Sequence, residues 1–108
     1  MLEVRGLVDE VRPGQLVSST QGRDAGRYYL VFSTSNQFVL VTDGKNRGIE
    51  KPKKKNPKHL KVWPVVAETI GTKLAEGTKV ANIEIIESLA DLMGLLQEEP
   101  LLKGKEVG

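Results

Sequence analysis

The sequence predicts a mostly β domain with some α-helix, in which a small β-barrel is followed by a C-terminal helical hairpin. Three observations favour this class. The chain has 108 residues, which is the size of one ordinary domain. Short apolar runs separated by turn residues fill residues 14–63, as is typical of antiparallel strands. Beyond Pro64 the apolar residues recur every three or four positions, which is the spacing of an amphipathic helix.

The first three strands are predicted from runs of β-branched and aromatic residues. Residues 14–20 form a short strand candidate, and the Gly- and Asp-containing residues 21–26 form a turn. Residues 27–32 include two Tyr, a Val and a Phe, which pack well on a pleated surface. Residues 38–41 are apolar and too few for a helix, so they are predicted to form a third strand.

The next segment predicts a tight turn, an exposed loop and a closing strand. Residues 42–45 contain the Asp-Gly pair of a two-residue type I′ hairpin turn. Residues 50–57 hold two prolines, which lack an amide donor and disfavour helix, so we expect an exposed extended loop. Residues 59–63 alternate outward and inward side chains and are predicted to close the sheet. A sheet that closes into a barrel has no exposed strand edges, and the smallest barrel of this kind is the SH3-like barrel.

The first of two helices is predicted after Pro64. Val66, Ile70 and Leu74 recur at i, i+4 and i+8 until Gly77, where the helix is predicted to end after about ten residues. A helix of that length is unstable alone, so its apolar stripe must pack on the barrel or on another molecule.

The second helix is predicted to begin at Asn82, whose side chain can cap it. Glu84, Glu87 and Asp91 fall away from the apolar stripe and form a solvated face. The stripe itself comprises Ile85, Ile86, Leu89, Leu92, Met93 and Leu96. The predicted organisation is therefore a barrel with a basic loop (residues 1–63), a helical hairpin (residues 64–98) and a frayed end (residues 99–108).

Composition narrows the chemistry open to this chain. Cysteine is absent, which excludes disulfides and thiolate catalysis, and the single histidine, His59, argues against an imidazole metal site. No apolar run approaches the roughly 18 residues of a membrane-spanning helix, and the first residues lack the pattern of a signal peptide, so we expect a cytoplasmic protein. No phosphate-loop or dinucleotide signature is present. We expect no cofactor, no metal and no enzymatic activity.

The charge is distributed unevenly along the chain. Residues 1–20 hold two basic and three acidic side chains, residues 21–61 hold ten and three, and residues 62–108 hold four and eight. The formal net charge of +2 therefore hides a strongly basic middle segment. Such a segment attracts a polyanion, whereas the acidic C-terminal part keeps the total charge low.

Residues 14–31, GQLVSSTQGRDAGRYYLV, resemble the KOW motif, an RNA-binding signature made of a strand, a glycine-bearing loop and a second strand. Gly22 and Gly26 match the glycines of that motif. Residues 41–60, VTDGKNRGIEKPKKKNPKHL, look like the basic continuation found in relatives of the large-subunit ribosomal protein class L-fourteen-e. The likeness covers about residues 12–61 and is strongest to the short bacterial KOW-domain proteins. The apolar residues that match the strands of the motif are Leu16, Val17, Leu30 and Val31.

The resemblance implies that these two stretches bind RNA. Gly22 and Gly26 can adopt positive φ angles and bring backbone amides close to phosphates. Arg23 and Arg27 flank the loop, and guanidinium groups bind phosphate through paired hydrogen bonds or stack on unpaired bases. We expect both stretches to share one surface in the folded chain. The candidates in the second stretch are Lys45, Asn46, Arg47, Lys51, Lys53, Lys54, Lys55, Lys58, His59 and Lys61.

Two further expectations concern residues beside these candidates. Asp24 is predicted to hydrogen-bond the backbone of its own turn and so to have a structural role. The aromatic residues in the strand runs are expected to fill the core. Because neighbouring residues of a strand point to opposite faces, one of Tyr28 and Tyr29 is expected to face outward, where it is able to stack on a base.

The sequence thus favours a non-enzymatic RNA-binding module, associated with ribosomal RNA or the ribosome, in which phosphate contacts dominate over base recognition. The alternative is a protein-interaction module that binds a transcription or translation factor through the barrel or the apolar helices. The acidic C-terminal segment favours an auxiliary factor over a constitutive ribosomal component. A small hydrolase dependent on His59 is disfavoured, because no nucleophile with an obvious partner lies near it in the sequence.

Overall fold

The computed structural model describes residues 11–98. Residues 1–10 and the predicted tail at 99–108 lie outside the described residues. The five strands are β1 (Gln15–Ser19), β2 (Tyr28–Thr34), β3 (Val39–Thr42), β4 (Lys53–Lys55) and β5 (Leu60–Val66). A 3-10 turn at Pro57–His59 joins β4 to β5, and the helices are α1 (Glu68–Ala75) and α2 (Asn82–Glu98). The predicted combination of β-strands with α-helices is therefore confirmed.

All five strands pair antiparallel in one sheet, in the order β4-β3-β2-β1-β5. Strand β1 lies between β2 and β5: Val17 pairs with Tyr29 on one side and with Val62 on the other. Within the described residues no ladder joins the edge strands β4 and β5, so the sheet is not closed by hydrogen bonds. The structure thus shows a five-stranded antiparallel sheet, and the SH3-like barrel that the sequence predicts stays a prediction.

The sheet curls strongly, so that its edge strand β4 approaches β1. The Lys55 ammonium on β4 donates a 3.0 Å hydrogen bond to the Ser19 hydroxyl on β1, although β3 and β2 lie between these strands in the sheet. In a flat sheet these two strands would be about 14 Å apart, since neighbouring strands are separated by about 4.8 Å. Register shifts between Gln15 and Val17 and between Val31 and Ser33 contribute to the bend, because a bulge increases the local twist.

Both faces of this sheet are covered by apolar side chains. The concave face, on which Lys55 reaches Ser19, holds a core made of Val11, Val17, Tyr29, Val31, Val39, Val41 and Leu60. On the convex face, Leu16 and Leu30 pack against residues of the helical segment, namely Ile70, Val80, Ile85, Leu89 and Leu92. Because both faces are covered, β1 is buried at every residue.

The helical hairpin packs on the convex face of its own sheet. The predicted stripe of α2 is confirmed: Ile85, Leu89 and Leu92 are buried, and the other three members are half-buried. Helix α1 lies close to the start of the sheet, where the Ala67 N–H donates to the Gly14 carbonyl over 2.8 Å. Neither helix, in the described part of the chain, has both the length and the apolarity needed to cross a membrane.

The lysine-rich segment departs most from the sequence prediction. Residues 50–57 are predicted as an exposed loop, yet Lys53–Lys55 forms the edge strand β4 and pairs with Val39–Val41 of β3. The ladder with β3 overrides the low strand propensity of lysine. The predicted two-residue turn at 42–45 is also wrong, because β3 ends at Thr42 and residues 43–52 intervene before β4 begins.

The strand-to-helix boundary also differs from the prediction. Strand β5 continues through Pro64 to Val66, so the predicted boundary between residues 63 and 64 falls inside it, and Val66 is not helical. Helix α1 has eight residues. The Asn82 side chain does not cap α2 but binds the loop between β3 and β4, where it accepts a hydrogen bond from the Ile49 N–H at 2.8 Å and donates one to the Glu50 carboxylate at 2.9 Å.

Candidate nucleic-acid interface

Ion pairs hold the turn at residues 20–27, which we call the glycine turn, against strand β4. Asp24 Oδ2 lies 3.0 Å from Lys53 Nζ, and Asp24 Oδ1 lies 3.2 Å from Lys55 Nζ. The paired residues are 29 and 31 positions apart in the sequence. The structure therefore brings the turn that contains Arg23 next to the strand that contains the three lysines.

The buried Asp24 carboxylate is the centre of this contact. Its Oδ1 accepts hydrogen bonds from the Ser19 hydroxyl at 2.8 Å and from Lys55, and its Oδ2 accepts from the Tyr29 hydroxyl at 2.8 Å and from Lys53. Each carboxylate oxygen thus has two donors. No buried side-chain nitrogen or oxygen in the described residues lacks a hydrogen-bond partner. A buried network in which every polar group is hydrogen-bonded holds its side chains in one arrangement.

The network also sets the charge state of its members. Burial alone would raise the pKa of Asp24, but the hydrogen bonds from Tyr29, Lys53, Ser19 and Lys55 outweigh burial and hold that pKa well below its ordinary value. Burial, followed by the hydrogen bond to the Asp24 carboxylate, raises the pKa of Tyr29 above its ordinary range. Asp24 is therefore charged and Tyr29 neutral at neutral pH.

The role of Asp24 is structural, as predicted, but its partners are different. Backbone bonds close the glycine turn: the Ala25 N–H donates to the Gly22 carbonyl at 3.2 Å and the Arg27 N–H to the Asp24 carbonyl at 2.9 Å. The carboxylate is left to bind side chains. Two signals in the sequence pointed to this: Asp24 is the only acidic residue between positions 11 and 42, and Lys53 and Lys55 are two positions apart, as residues on one strand face are.

The turn glycines have the backbone conformation that the sequence predicts. Gly22 and Gly26 adopt φ angles of +89° and +91°, a region that favours glycine. The Gly26 amide, however, donates to the Ser19 carbonyl at 2.8 Å, so it is not available to a phosphate. Arg23 and Arg27 are exposed and stand as the cationic groups of this turn.

The three lysines of β4 have different environments. Lys55 is only 8% exposed and its ammonium is bound to Asp24 and Ser19, so we remove it from the candidate RNA contacts. The Lys53 side chain is 29% exposed and shares Asp24. Lys54 points to the opposite face, is exposed, and places its ammonium 4.4 Å from the centre of the Phe38 ring.

The loop that follows β3 places three more candidates at the same end of the sheet as the glycine turn. Strands β2 and β3 are antiparallel, so the beginning of β2 and the end of β3 lie together. Lys45, Asn46 and Arg47 are exposed. The Asp43 carboxylate accepts hydrogen bonds from the Lys45 N–H at 2.9 Å and the Arg47 N–H at 2.8 Å, which fixes the loop backbone beneath these side chains.

The 3-10 turn at Pro57–His59 lies beside the glycine turn, since the Thr20 N–H donates to the His59 carbonyl at 2.9 Å. Lys58 in this turn is exposed and His59 is half-buried. Two more candidates are exposed: Lys61 lies on β5, and Lys51 lies in the loop before β4. We call the exposed cations of the two turns and of strands β4 and β5 the basic surface: Arg23, Arg27, Lys54, Lys58 and Lys61.

Exposed carboxylates are concentrated in the helical part of the molecule. The exposed acidic residues there are Glu68, Glu76, Glu87 and Asp91. Glu84 is half-buried and lies 2.7 Å from the Lys73 ammonium, which together with the Ala81 N–H lowers the pKa of its carboxyl. The described residues contain no group of three or more His, Asp or Glu suited to a metal ion. Four of the five exposed carboxylates in residues 11–96 thus lie in the helical part, and the fifth, Glu50, lies in the loop between β3 and β4.

The two adjacent tyrosines point to opposite faces of β2, as predicted. Tyr29 is buried in the concave core, and Tyr28 is half-buried on the convex face beside Trp63.

No protein-family model matches this chain, and no curated protein matches it. The resemblance to the KOW motif accordingly depends on the residues named above and stays a proposal.

Proposed function

We propose that this chain is a non-enzymatic RNA-binding module that holds a nucleotide strand on the basic surface. The observation that supports this most is the Asp24 network. By pairing with Lys53 and Lys55, the carboxylate fixes the glycine turn beside β4, so that the turn that carries Arg23 lies next to the strand that carries Lys54. A surface of this kind attracts a polyanion, and the network positions it before any ligand arrives.

The fold we propose is an SH3-like barrel of the KOW type. Four observations support it: the five antiparallel strands, the pairing of β1 with β5, the 3-10 turn between β4 and β5, and the curl that brings β4 within hydrogen-bond distance of β1. In this proposal the concave core of the sheet is the barrel interior, and the helical hairpin is an addition on the outside.

The mechanism we propose is electrostatic capture with recognition of the phosphate backbone. The planar guanidinium group of arginine donates two parallel hydrogen bonds to phosphate oxygens, and the lysines act as point charges along the nucleotide strand. If about five cations neutralise phosphates, the logarithm of affinity falls with the logarithm of salt at a slope of about −3.5 to −4.5. Phosphate contacts identify no base, so sequence specificity from this surface is modest.

The ligand we propose is ribosomal RNA, free or within the ribosome, and the compartment is the cytoplasm; the resemblance of residues 14–31 and 41–60 is the reason. The alternative function, a module that binds a protein through its apolar helices, has less support. The stripe of α2 that would have formed such a surface is packed against Leu16 and Leu30 of its own sheet. Only Ile83 and Leu95 remain as exposed large apolar side chains in the described residues.

Two double variants with equal loss of charge test the proposal. Arg23→Ala with Lys58→Ala removes two cations of the basic surface. Arg12→Ala with Lys79→Ala removes two exposed cations elsewhere. Binding of a labelled single-stranded RNA is followed by fluorescence anisotropy at several salt concentrations, alongside co-sedimentation with ribosomal particles. The first variant is expected to bind more weakly with a salt slope shallower by about 1.5, and the second to match the unmodified chain. Equal losses in both variants, or no RNA binding by the unmodified chain, would refute the proposal.

A further inference from the structure

An aromatic surface lies on the convex face of the sheet, next to the basic surface. Ser18 on β1 pairs with Tyr28 on one side and with Lys61 on the other, and Trp63 follows two residues after Lys61 on the same face of β5. The Tyr28 and Trp63 ring centroids are 5.9 Å apart, with the ring planes inclined by 37°. We call Tyr28, Lys61 and Trp63 the aromatic surface.

Hydrogen bonds fix the position of the indole. The Trp63 Nε1–H donates to the Ser18 hydroxyl at 3.0 Å, and the Trp63 carbonyl accepts from the Gln15 side chain at 2.7 Å. Both rings are half-buried, with part of each packed against the core beneath the helices and part open to the outside. The surface is therefore rigid, aromatic and partly exposed, as a stacking surface for a planar ligand needs to be.

Lys61 adds a movable cation to this rigid pair. Its ammonium lies 4.1 Å from the centre of the Trp63 ring, and its side chain is exposed. A solvated cation–π contact of this kind is weaker than the stacking of a nucleobase on an aromatic ring. Because the lysine stem is flexible, a base that displaces the ammonium from the ring leaves it free to bind the phosphate of the same nucleotide.

We propose that the aromatic surface stacks an unpaired nucleobase on Trp63, with Lys61 on the adjoining phosphate. The inference rests on the proposed RNA binding and specifies its ligand: a single-stranded or looped segment at this surface. A continuous duplex does not fit, since its bases are stacked on one another and are not available to a side chain. Lys61 belongs to both surfaces and so links the basic surface to the indole.

Trp63 is the only tryptophan of the chain, so intrinsic tryptophan fluorescence reports on this ring alone. Three probes of similar charge separate stacking from charge: a single-stranded oligoadenylate of about 12 nucleotides, an RNA duplex of about 6 base pairs, and inorganic polyphosphate. Each is added to the full chain while competition with a labelled RNA measures binding. We expect oligoadenylate to quench the emission strongly, the duplex weakly, and polyphosphate to compete for binding with almost no quenching.

Substitutions then show how much of the affinity for oligoadenylate comes from base stacking and how much from contacts with phosphate. Trp63→Leu is expected to weaken oligoadenylate binding between about fivefold and about a hundredfold with an unchanged salt slope. Phe38→Leu is the matched control, because Phe38 also lies beneath a lysine, and we expect less than a twofold effect. Lys61→Met keeps the indole in place, so quenching is expected to persist while the salt slope becomes shallower by about one. Circular dichroism verifies that each variant is folded.

The failures of the two proposals are distinguishable. If labelled RNA binds but oligoadenylate leaves the Trp63 emission unchanged, or if polyphosphate quenches it equally, stacking is refuted and the RNA-binding proposal stands. If the full chain binds neither RNA nor polyphosphate, both proposals are refuted. If Trp63→Leu is unfolded, the quenching of the unmodified chain by the three probes decides the question.

Discussion

Replacing Asp24 by alanine tests the network that holds the two basic stretches together. The substitution leaves the 8% exposed Lys55 without its carboxylate and removes the acceptor of the Tyr29 hydroxyl. Breaking a buried ion pair by removal of one partner costs about 3–5 kcal/mol, because the other charge stays buried and unpaired. Domains of this size are stable by only about 5–15 kcal/mol, so the loss is a large fraction of the total.

Urea denaturation followed by circular dichroism measures this cost. Lys55→Met is expected to cost less, about 1.5–3 kcal/mol, because Asp24 keeps Lys53, Ser19 and Tyr29 as donors. Lys54→Met is the control. Lys54 is the exposed neighbour of Lys55 on the same strand, so we expect this variant to change the free energy of unfolding by less than about 0.5 kcal/mol. An Asp24→Ala cost below about 1 kcal/mol, or equal costs for Lys54→Met and Lys55→Met, would contradict the assignment of the network.

Two further predictions concern pH and helix packing. The lowered pKa of Asp24 means that the unfolded chain binds the proton first, so the contribution of the network to stability is present above about pH 4 and is lost as pH falls below it. The raised pKa of Tyr29 has the opposite effect, because its contribution to stability is lost as pH rises above about 10. The melting temperature as a function of pH measures both losses. Tyr29→Phe is expected to abolish the alkaline loss and to reduce the acid loss, because Tyr29 is one of the donors that lower the pKa of Asp24. Gly71→Ala is expected to destabilise α1 by about 1–3 kcal/mol, because the new Cβ would lie 2.6 Å from the Pro13 carbonyl oxygen. Gly94 has open space around it, so Gly94→Ala is expected to stabilise α2 by about 0.5–1 kcal/mol. In urea denaturation, a Gly71→Ala variant that is as stable as the unmodified chain would contradict the close approach at α1, and a destabilised Gly94→Ala variant would contradict the open space at α2.

Local sequence patterns predicted the elements whose side chains determine their own structure. Strands β1, β2, β3 and β5 and the buried stripe of α2 follow from apolar runs and their spacing. Strand β4 could not be predicted in this way, because its residues are all lysine and prolines stand on either side of it. What makes it a strand is the ladder with β3, and a ladder depends on a partner that is distant in sequence.

The candidate site was predictable to a similar extent. Residue type and family resemblance indicated that Arg23, Arg27 and the lysines belong together, and the ion pairs of Asp24 place their two segments side by side. The burial of Lys55 was not predictable from its neighbours, since Lys54 beside it is exposed. The difference comes from the direction of alternate side chains on a strand, which is defined only once the register with β3 is known.

Chemical-shift mapping of backbone amides on addition of a single-stranded RNA is the most direct test of the basic surface. If the two turns form one binding surface, amides of the glycine turn and of the 3-10 turn at Pro57–His59 shift together and saturate at the same RNA concentration, while those of α2 stay unchanged. Shifts confined to the helices, or to one of the two turns alone, would contradict it.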